Sequence, residues 1–328
     1  MMIKRELEQY LLQSLNMGLG SLMQGETSYT NSFDCKIMDD GFLFLPRLPA
    51  GYIIDDDLYQ KIFLIANASL YPRYTLLKQN SAYFMALDTN DIHVQRGLFF
   101  PWKLGVSERL IISDLDSFTK SHEEDIIPIM KNLVLDYNNV TSLAIAGNSG
   151  SGKSYTLTYL LSHLKQISDL IIIDPKFDTP SRWARENGIA VIHPKRNRSK
   201  SDFVSEINEN LSDCLNLIQQ RQEILYDNPN QHFDHLTIVI DEVLALSEGV
   251  NKTIKDSFFS LMSQIALLGR ATKVHLLLVS QRFDHNTIPV SVREQLNVLI
   301  QIGNINKKTT QSHTVKHVID WSLIRKYC

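Results

Sequence analysis

The sequence predicts an α/β fold: a mostly parallel, helix-covered sheet preceded by a small α+β appendage. Three observations carry this expectation. The stretch Gly147-Asn148-Ser149-Gly150-Ser151-Gly152-Lys153-Ser154 has the spacing G-x-x-x-x-G-K-[ST], with the apolar run Leu143–Ala146 before it and a helix-like run, Tyr155 to Leu164, after it. That is the strand–loop–helix setting of a phosphate-binding loop. Downstream, near-continuous apolar runs alternate with helical stretches, which fits a sheet buried on both faces. Upstream, from Thr27 to about Arg109, short alternating runs are broken by turn residues, a pattern of short strands.

Length and composition set the frame. A chain of 328 residues suggests two domains, and 44% hydrophobic with 21% charged residues excludes a disordered chain. The formal net charge of -3 exerts no global pull on nucleic acid and leaves room for a local basic surface. Cys35, Cys214 and Cys328 are far apart and odd in number, with neither metal spacing nor a disulfide framework. A reducing, cytoplasmic setting is expected. No apolar run reaches a membrane span, and Met1 to Glu8 lack a signal-peptide core, so any membrane attachment is expected through a partner.

In chain order, residues 2–24 carry Leu7, Tyr10, Leu11, Leu15, Met17, Leu19 and Leu22 at roughly helical spacing. This is either a helix packed on its own domain or a docking helix for a partner subunit. Strands are expected at Phe33–Ile37, Gly41–Leu45, Tyr74–Leu77 and Tyr83–Leu87, with a helix over Asp56–Ala68. Leu110–Ile112 and Leu133–Tyr137 read as strands flanking the acidic His122-Glu123-Glu124-Asp125. The boundary is placed between them, giving an appendage over 1–118 for assembly or recruitment and a phosphate-loop domain over 119–328. Core strands are expected at Leu170–Ile173, Ile189–Ile192, Leu236–Ile240, Val274–Val279 and Val298–Ile302, and long helices at Asp202–Tyr226 and Thr253–Leu268.

The chemistry gathers at strand ends. In the loop, glycines let backbone N–H groups turn inward on a phosphate, and the following helix adds its positive end. The binding set is Gly147, Asn148, Ser149, Gly150, Ser151, Gly152, Lys153, Ser154 and Tyr155, for ATP. Lys153 would reach the β- and γ-phosphates and the Ser154 hydroxyl would hold Mg²⁺. Ile238-Val239-Ile240-Asp241-Glu242 delivers Asp241 to the magnesium shell and Glu242 as the carboxylate that polarises attacking water. Gln281, in Val279-Ser280-Gln281-Arg282, suits a γ-phosphate sensor. Leu267-Leu268-Gly269-Arg270 ends a helix, with Gly269 as its stop. Arg270 is either a surface residue or an arginine that reaches a neighbouring subunit's site, a role worth about 10³–10⁵ in rate.

With these residues assembled, the chain resembles the FtsK/SpoIIIE family of DNA-translocating ATPases, and among them the FtsK-like proteins of Gram-positive conjugative elements. The resemblance runs from about Leu133 to Lys308. It rests on Ile145-Ala146-Gly147 through Ser154, Ile173-Asp174-Pro175-Lys176, Val239-Ile240-Asp241-Glu242, Leu268-Gly269-Arg270-Ala271, Val279-Ser280-Gln281-Arg282-Phe283-Asp284, and Val292-Arg293-Glu294-Gln295-Leu296-Asn297. Two departures stand out. Phe283 replaces the proline that usually follows Gln-Arg, and Ala271-Thr272-Lys273 replaces a small residue and glycine before the strand. About twenty residues follow Lys308, too few for the winged-helix module of larger relatives. The resemblance implies a RecA-like (ASCE) P-loop ATPase core, a homo-oligomeric ring of six with ATP between subunits and DNA in the channel, contacted through its backbone. It also implies a relaxase, secretion-channel or membrane-bound partner.

The chain's own DNA signal is modest. Lys195, Arg196, Arg198 and Lys200 lie in a loop without acids, and Lys307, Lys308, Lys316, Arg325 and Lys326 make the tail basic. Such a loop can neutralise phosphates without reading bases, or can simply be solvated. Asp174 and Lys176 either couple hydrolysis to channel loops or form an ion pair. A ring ATPase that energises protein secretion, or a nucleotide-gated assembly module, would present much the same core.

Overall fold

The structure, a computed structural model, describes residues 4–20, 32–50, 53–77, 79, 83–106, 108, 110–122, 125–131, 133–283, 287–302 and 317–320. It divides into two compact units, Met1–Glu108 and Arg109–Cys328.

In the first unit, helices α1 (Lys4–Gly20) and α2 (Asp56–Leu70) accompany a five-stranded sheet of β1 (Phe33–Ile37), β2 (Gly41–Pro46), β3 (Tyr74–Leu76), β4 (Phe84–Ala86) and β5 (Arg96–Leu104). The order is β1-β2-β5-β3, with β4 also on β5, and every pairing is antiparallel. Leu7, Leu11, Leu15 and Leu19 recur every four residues. They form one buried stripe in the same core as Tyr59, Ile62 and Ala66 of α2 and Phe42, Phe44 and Phe100 of the sheet. Of the two readings of this helix, packing within its own unit is the one observed. Tyr10 and Met17 face solvent, and residues 21–24 of the expected helix lie outside the described residues.

The second unit opens with α3 (Leu115–Lys120) and an antiparallel pair, β6 (Ile126–Met130) and β7 (Leu133–Asp136). Leu110–Ile112, expected as a strand, pairs with no strand among the described residues. Leu110, Ile112, Leu115 and Phe118 instead pack on the core of this unit, so the chain joins it some ten residues before the 118/119 junction expected from sequence. Then β8 (Ser142–Gly147), α4 (Lys153–Ile167), β9 (Ser168–Ile173), α5 (Thr179–Glu186), β10 (Val191–Ile192) and α6 (Lys200–Asp227) follow. After them come β11 (His235–Ile240), α7 (Val243–Ser247), α8 (Lys252–Leu268), β12 (Val274–Ser280), α9 (Val290–Gln295), β13 (Val298–Ile302) and β14 (His317–Asp320).

The seven strands pair in parallel in the order β10-β9-β11-β12-β8-β13-β14. Alternate residues serve opposite faces. Ala144, Ala146, Ile238, Ile240, Leu276 and Leu278 pack with Phe203, Ile207 and Leu211 of α6 and Phe258, Met262 and Ile265 of α8. Leu143, Ile145, Val239, Leu277 and Val279 pack with Leu157, Leu160 and Leu164 of α4 and with Ile127 and Ile129. The sheet is thus buried on both sides, as its unbroken apolar strands require. This is the RecA-like P-loop arrangement, in which β12 separates the phosphate-loop strand β8 from β11.

Candidate nucleotide site

Strand register brings the chemistry to one edge. Ser280 is level with Ala146, Ile240 with Leu278, and Ile173 with Ile240. Gly147, Gln281, Asp241 and Asp174 therefore all emerge at the carboxyl edge of the same sheet, where ligands of open α/β sheets bind.

The phosphate loop connects β8 to α4. Gly150 (φ +75°) and Gly152 (φ +104°) occupy backbone conformations that side chains rarely adopt. At Gly147 the constraint is space: a Cβ would meet the Ile302 carbonyl oxygen and Ser151 Oγ, each at 2.6 Å. Asn148 and Ser149 are exposed at the tip, and Tyr155, first turn of α4, is 76% exposed. Lys153 Nζ donates to the carbonyl oxygens of Gly147 (2.7 Å) and Asn148 (3.1 Å), folding back over the loop. Burial lowers its pKa, helped by Lys176 and opposed by Glu242 and Asp241, so all four charges act on one another.

Asp241 is buried at the end of β11, and its N–H donates to the Ile173 carbonyl. Burial, then the nearby Asp174 and Glu242, push its carboxyl up to about 7. Glu242 follows in a left-handed backbone conformation (φ +50°, ψ +59°), the kind of strain that collects at functional sites. Its Oε2 lies 2.5 Å from Lys176 Nζ.

The segment after β9 reaches both halves of the site. Asp174, fully buried, accepts from the N–H groups of Lys176 (2.6 Å) and Asp178 (3.0 Å) and from the Ser181 hydroxyl. Of the two sequence readings for Asp174 and Lys176, the ion pair between them does not form: the lysine pairs with Glu242, and Asp174 is committed to two backbone N–H groups and the Ser181 hydroxyl. Asp178 escaped sequence reasoning. It caps α5 and its Oδ2 accepts from Ser154 Oγ at 2.8 Å. The Thr179 N–H and the Ser154 hydroxyl hold its pKa down.

Gln281 is exposed at the carboxyl end of β12, and Arg270 is exposed at the other end. The seven-residue strand between them spans about 20 Å at ~3.3 Å per residue. Arg270 is therefore remote from its own phosphate loop. Gly269 does end α8, but with φ -70° rather than a left-handed turn; a Cβ there would lie 2.1 Å from the Val274 carbonyl oxygen. Lys273, where the resemblance expects glycine, has φ +57°. Phe283, in place of proline, is buried in the core beside α8 and α9, while Asp284 lies outside the described residues.

The donor atoms suit a hard divalent cation: the Ser154 hydroxyl and the Asp241 carboxylate are oxygen ligands. Among the described residues no group of three or more His, Cys, Asp or Glu is placed to cage a metal.

The basic loop is less free than its sequence implied. Glu206 of α6 takes Lys195 (2.6 Å) and Arg198 (3.4 Å), and Lys200 donates to the Glu248 carbonyl. Arg196 is exposed and has no ion-pair partner among the described residues. The tail cations Lys307, Lys308, Lys316, Arg325 and Lys326 lie outside the described residues. No described helix is long and apolar enough to cross a membrane.

Known proteins share this fold. Residues 138–287 match a family model described as an AAA domain. The chain is 22% identical over 188 residues to the Ftsk domain-containing protein YdcQ of Bacillus subtilis (strain 168), which is 55% of this chain and 38% of that protein. Over this region the chain is similar to FtsK-like P-loop ATPases. A second relative, Protein Tra of Streptomyces lividans, is 27% identical over 154 residues, 43% of this chain and 24% of the relative. The matches thus cover well under half the length of either relative. Among solved structures, the pCW3 conjugation coupling protein TcpA, monomer form with ATPγS, shares the fold, with a TM-score of 0.52 at 18% identity over 92% of this chain and 86% of that one.

Proposed function

We propose that this chain hydrolyses ATP to move DNA, as a ring motor of six copies serving transfer of a mobile element. The observation that carries the reading is the convergence of Gly147–Ser154, Asp241, Glu242 and Gln281 on one sheet edge, with Arg270 at the far end of the strand that bears Gln281. The description of TcpA as a conjugation coupling protein supports the link to conjugation.

In this reading Gly147 to Tyr155 wrap the triphosphate, with Lys153 leaving its loop carbonyls for the β- and γ-phosphates. Ser154 and Asp241 would hold Mg²⁺, which supplies charge neutralisation between the phosphates. Glu242 accepts the proton of the attacking water, and Gln281 aligns that water on the γ-phosphate. Arg270, remote from its own site, serves the adjacent copy. DNA backbone contacts would come from cations such as Arg196, without base reading.

The deciding experiment is ATPase rate against duplex and single-stranded DNA over a salt series. Stimulation that falls steeply with salt is expected of a backbone-tracking motor. The commitment of Lys195 and Arg198 to Glu206 favours a second reading, a ring ATPase acting on a protein substrate, and a flat DNA response with appreciable basal turnover would select it.

A further inference from the structure

One five-residue segment, Asp174–Asp178, touches a reacting group in each half of the nucleotide site. Lys176 Nζ is 2.5 Å from Glu242 Oε2, and Asp178 Oδ2 accepts the Ser154 hydroxyl at 2.8 Å. Between these two contacts Phe177 stands in a left-handed conformation (φ +59°), half-exposed, its ring 4.5 Å from that of His193. The base of the segment is fixed, because buried Asp174 accepts three hydrogen bonds. Above that base, the Lys176 side chain is 48% exposed while Glu242 is 7% exposed, so the lysine end of the ion pair is open to water.

Both contacts oppose turnover. An ammonium against Glu242 occupies a carboxylate oxygen that would otherwise accept from the attacking water. The Ser154 hydroxyl donates to Asp178, a carboxylate outside the expected cation pair of Ser154 and Asp241, so assembling that pair exchanges this contact. We propose that Asp174–Asp178 is a two-pronged latch, in which Lys176 and Asp178 are positioning residues that hold Glu242 and Ser154 out of their reacting arrangement until nucleotide loading exchanges both contacts. The proposal rests on the ATPase reading above and adds its regulation. The strained backbone at Phe177 and at Glu242 puts a flexion point on each side of the ion pair.

The test uses the full chain. Lys176→Met should raise kcat for ATP about fivefold with KM unchanged, the size an ion pair open to water at its lysine end can supply, and Lys176→Arg should bring kcat back toward wild type. A purely structural lysine would not split kcat from KM in this way. Asp178→Asn keeps the helix cap but weakens the grip on Ser154. In a titration of Mg²⁺ against binding of a fluorescent ATP analogue, its midpoint should fall about threefold, as a charge-assisted hydrogen bond becomes a neutral one. A kcat that falls or stays put in Lys176→Met, or an unmoved Mg²⁺ midpoint in Asp178→Asn, overturns the latch. Lys153→Ala separates the two levels: if it hydrolyses ATP like wild type, the ATPase reading fails; if it is inactive while Lys176→Met is unchanged, the latch alone fails.

Discussion

His235 Nδ1 lies 2.8 Å from His275 Nε2, the two rings stacked with centroids 4.9 Å apart, at the amino-terminal edge of the parallel sheet. His275 Nδ1 faces the Thr141 carbonyl oxygen at 3.3 Å and must donate to it, so Nε2 accepts from His235. A second proton on His275 would set two N–H donors against each other. Burial, then His235, lowers the His275 pKa to about 3, and burial and Lys273 lower that of His235.

A folded-state pKa below the unfolded value of about 6.5 means the unfolded chain binds more protons. The contribution of His275 is therefore complete above about pH 6.5 and is lost as pH falls toward 3. Urea midpoints measured from pH 7 to pH 4.5 should decline, and the decline should be shallower in His275→Gln. Parallel curves for the two proteins would remove the pair from the acid response.

Glu242→Gln removes the base while keeping the shape of the side chain. ATP binding should persist and hydrolysis should fall about 10²–10⁴-fold. Equilibrium binding of an ATP analogue beside steady-state phosphate release measures both, and unchanged release would move the base elsewhere.

Arg270 and Lys153 should complement each other between copies. Arg270→Ala and Lys153→Ala should each be inactive alone. Mixed in equal amounts they should recover about one quarter of wild-type turnover, because in a head-to-tail ring that share of interfaces pairs an intact loop with an intact arginine. A mixture as inactive as its parts would deny Arg270 a role in the neighbour's site.

The turn before β12 offers opposite effects four residues apart. Gly269→Ala forces a Cβ to 2.1 Å from the Val274 carbonyl oxygen and should cost ~1–3 kcal/mol. Lys273→Gly relieves a left-handed lysine (φ +57°) and should gain about 1 kcal/mol. Thermal midpoints should move down and up respectively, by about 2–4 °C per kcal/mol for a unit of this size.

What was legible in the sequence was local or periodic. The phosphate loop is a contiguous spacing, and the core strands are unbroken apolar runs. Two strands were hidden by proline: Pro101 sits inside β5 and Pro128 inside β6, residues that argue against a ladder. Leu110–Ile112 looked like a strand for the opposite reason, being apolar and short, yet it only packs. The side-chain pairings of the site were out of reach because they join distant positions. Lys176 meets Glu242 across 66 residues, Ser154 meets Asp178 across 24, and Glu206 neutralises a loop that lies before it on the chain. No propensity or spacing announces such partners.

β12 is hydrogen-bonded on both sides, to β8 and to β11, and carries Gln281 and Arg270 beyond its two ends. The distance between those residues is consequently a fixed dimension of every copy, set by the length of a strand that cannot slip. Losing one residue would turn every side chain of β12 to the opposite face and shorten the span by ~3.3 Å. Surface loops can drift in length over generations, whereas this rod has a single permitted gauge.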